Sequence, residues 1–244
     1  MVTVCCIKQG SKYGPEYVNI LHAMVVRNTF IFDWDFVCFT DDAAGIDPKI
    51  RIEPLPHPAV GWWVKMGLYQ KEVPGIASEK LLFLDLDVVI PGFLDPVLIF
   101  ESDHALIKDY PAAYLPPGNH HQKDGNTSAI LLTVGSRVHI WEAFLREKNP
   151  AGRYWSEQDW LNKKHPGSFD LLPESMAQSY KLHKLQDRRP ECSIVMFHGK
   201  PKPADCGGWV AEEWRTSRRK RHRKSNRGQI SNLSPEEDKN RGQI

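Results

Sequence analysis

Leu81-Leu-Phe-Leu-Asp-Leu-Asp-Val-Val-Ile90 decides how this chain is read. The run is apolar at both alternating positions, the pattern of a strand covered on both faces of a parallel sheet. Asp85 and Asp87 interrupt it. An ionised carboxylate left unpaired in such surroundings costs on the order of several kcal/mol, and a cation is the simplest compensation. Strand alternation sends residues 85 and 87 to the same side, so both carboxylates can address one ion. Oxygen ligands suit hard divalent ions such as Mg²⁺ or Mn²⁺, and these ions bind phosphates in turn. The stretch predicts a metal–diphosphate platform at a strand end.

Outward from it, strand patterns alternate with helix patterns. Val2-Thr-Val-Cys-Cys-Ile7 opens the chain as a strand. Pro15 then stands at a helix start, followed by Tyr17, Ile20, Leu21, Met24 and Val25 at helical spacing. Asp35-Phe-Val-Cys-Phe-Thr40 is a second strand closed by Asp41-Asp42, and a proline-rich loop leads to a helix expected over 62–71. Further strands are expected at 104–108, 128–134 and 193–197, with helices near 136–147 and 156–163. This order predicts an α/β fold with a mainly parallel sheet and helices on both faces. In such sheets ligands sit beyond the carboxyl ends of the strands, where Asp85 and Asp87 are placed.

The chain has 244 residues, 41% of them hydrophobic, enough for one large domain with a sizeable core. No stretch reaches the roughly 18 uninterrupted apolar residues of a membrane helix. The opening strand reads as the start of the domain rather than as a secretory leader, and five cysteines without a pairing framework suggest a reducing compartment. A cytoplasmic protein is expected. Cys192 and Cys206 flank His198, but no CxxC spacing supports zinc. Arg215-Thr-Ser-Arg-Arg-Lys-Arg-His-Arg-Lys224 holds seven basic residues, so the formal charge of +2 becomes −5 without it. Residues 210–244 are expected to be a disordered basic tail, and 1–209 the folded domain. Such a tail is either a solvated extension or a weak contact with an anionic membrane at its inner face; no binding module accompanies it that would point to nucleic acid.

The ordered series Lys12-Tyr-Gly-Pro-Glu-Tyr17, Phe39-Thr-Asp-Asp42, Gly61-Trp-Trp-Val-Lys65, Leu84-Asp-Leu-Asp87, Asn126-Thr-Ser128, Ser156-Glu-Gln-Asp159 and Phe197-His-Gly-Lys200 carries a resemblance. It resembles nucleotide-sugar glycosyltransferases of the single-domain, Rossmann-like GT-A fold, nearest to bacterial proteins related to the glycogenin and lipopolysaccharide galactosyltransferase group. The resemblance implies transfer of a hexose, with retention, from a nucleoside-diphosphate sugar, UDP-linked, to a saccharide or lipid-linked acceptor, with Mn²⁺ or Mg²⁺ as cofactor.

Residue by residue, it makes His198 a third metal ligand beside Asp85 and Asp87, and a neutral imidazole suits Mn²⁺. It places the ring of Tyr13 on uracil, a contact that stacking favours. Lys200 can donate to a diphosphate as a point charge and Gly199 lets backbone approach it. Lys65, one turn after Gly61, is expected at a phosphate. Trp62 and Trp63 serve either packing or the pocket wall. Thr40 and Asp41 are expected either at the base or ribose or as a turn cap. Asn126 and Ser128 match a segment lining the donor sugar, and Gln158 and Asp159 a polar pair near the anomeric carbon. In an inverting enzyme Asp159 or Glu157 would be the general base; a helix cap at Ser156 also accounts for Asp159.

Two other classes share some of these features. Hydrophobic-Asp-x-Asp also opens haloacid-dehalogenase-like phosphatases, but no glycine follows Asp87 where they need one, and no later acidic pair supplies their second metal anchor. A non-catalytic nucleotide-sugar binder would hold the donor without turning it over.

Overall fold

The computed structural model describes residues 1–30, 33–110 and 124–216. Among these residues, nine strands and five α-helices follow in chain order. They are β1 (Val2–Lys8), α1 (Pro15–Asn28), β2 (Trp34–Thr40), β3 (Arg51–Glu53), β4 (Lys80–Leu84), α2 (Asp95–Leu98), β5 (His104–Lys108), β6 (Gly125–Thr133), α3 (Val138–Arg146), α4 (Glu157–Lys164), β7 (Asp170–Leu172), β8 (Ala177–Ser179), β9 (Ile194–Met196) and α5 (Gly208–Glu213). A seven-stranded sheet has the order β3-β2-β1-β4-β6-β5-β7. β1, β2, β3 and β4 pair in parallel, as do β5 and β7. Only β6 runs against its neighbours, β4 and β5. The expected mainly parallel sheet is therefore what forms, in a single α/β domain.

Alternation along the strands divides the core in two. Val2, Val4 and Cys6 of β1 and Leu82 and Leu84 of β4 join Val18, Leu21, Met24 and Val25 of α1 on one face. Cys5, Leu81 and Phe83 turn to the other, against Ile140 and Phe144 of α3 and Trp160 and Leu161 of α4. Helices cover both faces because every central strand is apolar in both directions. Pro15 stands in the first turn of α1, as its missing N–H allows.

Three expectations need adjusting. The helix expected over 62–71 is a 3₁₀ helix, Gly61–Tyr69. Gly67 packs so tightly on Pro56 that an added Cβ would lie 2.7 Å from its carbonyl oxygen. The strand at 81–90 stops at Leu84, and the two aspartates lie in the turn that follows, closed by Val88 N–H donating to Asp85 O at 3.3 Å. The folded structure also continues past residue 209. Trp209 and Val210 of α5 are buried, the Trp209 indole donates to Leu185 O, and Glu213 pairs with Arg189 at 3.0 Å. Beyond residue 216 the basic segment lies outside the described residues. Among the described residues, no helix is long and apolar enough to cross a membrane.

A small parallel sheet of β8 and β9 sits beside the main one. It is tied to the turn after β4 by a reciprocal pair, Val89 N–H to Val195 O at 2.9 Å and Val195 N–H to Val89 O at 2.8 Å.

Candidate active site

Beyond the carboxyl ends of β1 and β4, and beside the starting end of the reversed β6, lies a cavity of about 710 Å³. Two carboxylates dominate its floor. Asp85 donates its N–H to Ser128 O at 2.8 Å, so the turn hangs from the first residues of β6. Its Oδ1 lies 2.8 Å from Lys65 Nζ. The same ammonium lies 3.2 Å from Oε1 of Glu157, which also accepts from Thr127 Oγ1 at 2.7 Å. Glu157 is 3% exposed, and its Oε2 has no hydrogen-bond partner. Asp87 Oδ2 accepts from the Tyr13 hydroxyl at 2.7 Å and pairs with Lys202 Nζ.

The charges follow from these contacts. Burial raises the Asp85 pKa, Lys65 opposes that rise, and Asp87 and Glu157 add to it. Burial alone would lower the pKa of Lys65, but Asp85 and Glu157 more than reverse it and keep the ammonium charged. Burial, then the adjoining Asp87, raises Tyr13, so its hydroxyl keeps the proton it donates. Burial, then Lys181 and Lys202, lowers His198, which stays neutral at pH 7. Its Nδ1 is buried without a partner.

The cavity wall gathers Tyr13, Lys65, Asp85, Asp87, Asn126, Ser128, Gln158, His198, Gly199 and Lys200, drawn from six separate stretches of the sequence. Gly199 has φ +64°, a left-handed conformation that glycine adopts without strain. Gln158 accepts from Thr127 N–H at 3.1 Å and donates to Asp109 at 3.1 Å. Three expected residues stand outside the wall. Thr40 caps its own turn, its hydroxyl accepting from Asp42 N–H at 3.0 Å, and Asp41 accepts from Gly10 N–H at 3.1 Å. Asp159 accepts from Trp155 N–H at 3.1 Å and pairs with Lys163 at 3.0 Å, while Ser156 Oγ caps its N–H. Here the capping geometry, not the cavity, holds Asp159.

Lys202, Asp109 and Trp155 line the cavity without having been singled out in the sequence. Asp109 carried a signal, since it follows a strand as Asp85 does. Lys202 carried none, because its contact with Asp87 spans 115 residues. Chemically, the floor pairs carboxylates suited to a divalent ion with lysines suited to phosphates. Among the described residues, no three His, Cys, Asp or Glu side chains are grouped closely enough to hold a metal as they stand; the lysines answer the carboxylates instead.

No family model matches the chain, and no curated protein matches its sequence. Solved structures do. The galactosyltransferase LgtC, in complex with donor and acceptor sugar analogues, superposes with a TM-score of 0.66 at 14% identity, covering 87% of this chain and 93% of its own. The glycosyltransferase GlyE of Streptococcus pneumoniae gives 0.62 at 14%, covering 88% and 60%. The bifunctional glycosyltransferase WbbM gives 0.62 at 15%, covering 87% and 49%. The chain thus has the fold of these glycosyltransferases, with its cavity at the strand ends.

Proposed function

We propose that this protein is a metal-dependent glycosyltransferase that moves a hexose from a nucleoside-diphosphate sugar, UDP-linked, to a saccharide or lipid-linked acceptor, with retention. The observation that carries the proposal is the meeting of Asp85, Asp87, four lysines and a neutral His198 in one cavity of a fold shared with solved glycosyltransferases. LgtC was solved with donor and acceptor sugar analogues, which supports the two-substrate reading. Asp85 and Asp87 would hold Mn²⁺ or Mg²⁺ in exchange for their lysine contacts, and His198, whose Nδ1 has no partner, would join them on moving closer than it stands here. Such an ion stabilises negative charge on a departing diphosphate.

The chain's own groups do the rest. Lys65 pairs with both Asp85 and Glu157 and holds them in place. Lys200 and Lys202 face the cavity where a diphosphate gains charge as it leaves, and preorganised cations act there at no cost of reorganisation. Tyr13 holds Asp87 through its hydroxyl and presents its ring at the wall for a base. Asn126, Ser128 and Gln158 supply polar contacts for a sugar. The basic run 215–224 extends the proposal to the inner face of an anionic membrane, each basic residue contributing about 1 kcal/mol.

The test is a panel of nucleotide sugars, each incubated with Mn²⁺, Mg²⁺ or chelator, with release of nucleoside diphosphate measured by chromatography. Release from at least one donor, dependent on metal, is expected. Hydrolysis of a phosphomonoester with no nucleotide-sugar turnover would overturn the proposal in favour of a phosphatase.

A further inference from the structure

Trp155 is 84% exposed, the most exposed large apolar side chain among the described residues, and it lines the cavity. Trp62, 48% exposed, lines it too. An indole left open to water forgoes the burial that usually makes tryptophan worth its size. The backbone that carries each is anchored. Trp155 N–H donates to Asp159, itself fixed by Lys163 and by the Ser156 cap at the start of α4. Gln9 clamps the loop before Trp62, accepting from Gly61 N–H at 2.7 Å and donating to Ala59 O at 2.9 Å. The neighbouring Trp63 shows the ordinary alternative, since it is buried and stacks on Phe144 at 5.9 Å with an interplanar angle of 9°.

We infer that Trp155, with Trp62, is a stacking platform for the pyranose ring of a saccharide acceptor. The negative face of an indole attracts the partly positive C–H hydrogens that line one face of a pyranose, and burying that apolar face adds to the attraction. The hydroxyls at the ring edge need hydrogen-bonding partners, and Asp109, Asn126 and Gln158 are present in the same cavity. Aromatic faces beside a few polar groups are the composition that a sugar's two-sided surface requires. Asp159, set apart from the wall, acquires a role as the positioning residue for Trp155. The inference rests on the glycosyltransferase reading for the name acceptor, but the binding itself does not depend on turnover.

The experiment is saturation-transfer NMR on the full chain with UDP and diamagnetic Mg²⁺, using lactose, maltose and chitobiose as probes and sorbitol as the acyclic control. At least one disaccharide should bind saturably with transfer strongest to the hydrogens of one ring face, and sorbitol should not. Trp155→Ala should weaken that binding at least 10-fold, Trp155→Phe should stay within about 3-fold, and Trp62→Ala should fall between. Asp159→Ala should weaken binding while Asp159→Asn, which can still accept from Trp155 N–H, restores it. Absence of disaccharide binding, or equal binding by wild type and Trp155→Ala, overturns the platform. The donor panel on wild type reads the other claim separately: saccharide binding without donor turnover leaves the platform standing and removes the enzyme, and the reverse result removes only the platform.

Discussion

Replacing Lys65 by methionine tests how the cavity floor holds its charges. The ammonium lies 2.8 Å from Asp85 and 3.2 Å from Glu157, so the two carboxylate oxygens are no more than about 6 Å apart. At an effective dielectric constant of about 20, two like charges at that separation repel by about 3 kcal/mol. The side chain of Glu157 is 4% exposed and keeps only Thr127 as a donor, so water cannot take over from the ammonium. Removing one partner of a buried pair costs roughly 3–5 kcal/mol, and the Lys65→Met variant should lose about 4 kcal/mol. Guanidinium unfolding at pH 7 in the presence of chelator measures it without a divalent ion standing in for the ammonium. Adding Glu157→Gln should restore at least about 2 kcal/mol, because it removes the charge that lost its partner. The single variant should also become more stable as pH falls below neutrality, where protonation removes the repulsion. A loss under about 1 kcal/mol, or a double variant weaker than the single one, refutes the network.

Asp85→Asn and Asp87→Asn should each reduce metal-dependent donor turnover by roughly 10²-fold or more, with circular dichroism unchanged, since lost transition-state charge stabilisation costs several kcal/mol; full turnover in either variant counts against the metal platform. His104 is wholly buried, its Nδ1–H donating to Ser168 O at 3.1 Å and its Nε2 accepting from Tyr69 at 3.0 Å, and burial lowers its pKa to about 4. The unfolded imidazole titrates near about 6.5, so the unfolded state takes up more protons between those values. Its contribution is present above about pH 6.5 and is lost as pH falls toward 4, about 3 kcal/mol in all; denaturation midpoints across that window should show the slope, and His104→Gln should flatten it. Trp209→Ala should cost about 3–5 kcal/mol, read from the same denaturation curves; a loss under about 1 kcal/mol would return α5 to the tail.

The central sheet was legible because its strands are largely apolar on both faces, and β1, β2 and β5 emerge close to where their patterns place them. Short edge strands such as β3 and β7 were not, since three residues carry too little periodicity. At the site, Asp85 and Asp87 were singled out by the cost of burying charge, although the pleat invoked to align them ends at Leu84 and the turn that follows carries both to the cavity. Asp159 was read both as a site residue and as a cap; its geometry is local, made with Trp155, Ser156 and Lys163, and local geometry is what sequence can anticipate. Lys202 on Asp87 and Tyr13 on Asp87 are long-range pairs that only folding creates. The end of the domain was set too early because charged residues after 209 hid the apolar ones between them. Trp209, Val210 and Trp214 recur near one-turn spacing, and that signal outweighed the basic run beyond it.

The reciprocal pairing of Val89 with Val195 links two distant parts of the chain within a few residues of Asp87 and of His198. Two amide protons therefore report on whether those side chains share a cavity. If this junction opens on its own, both should exchange with deuterated solvent earlier than their neighbours in β4, and ligands that bridge Asp87 and His198 should slow both together. A polypeptide cut between them could still present each half of the site, but at a concentration set by diffusion rather than by the fold.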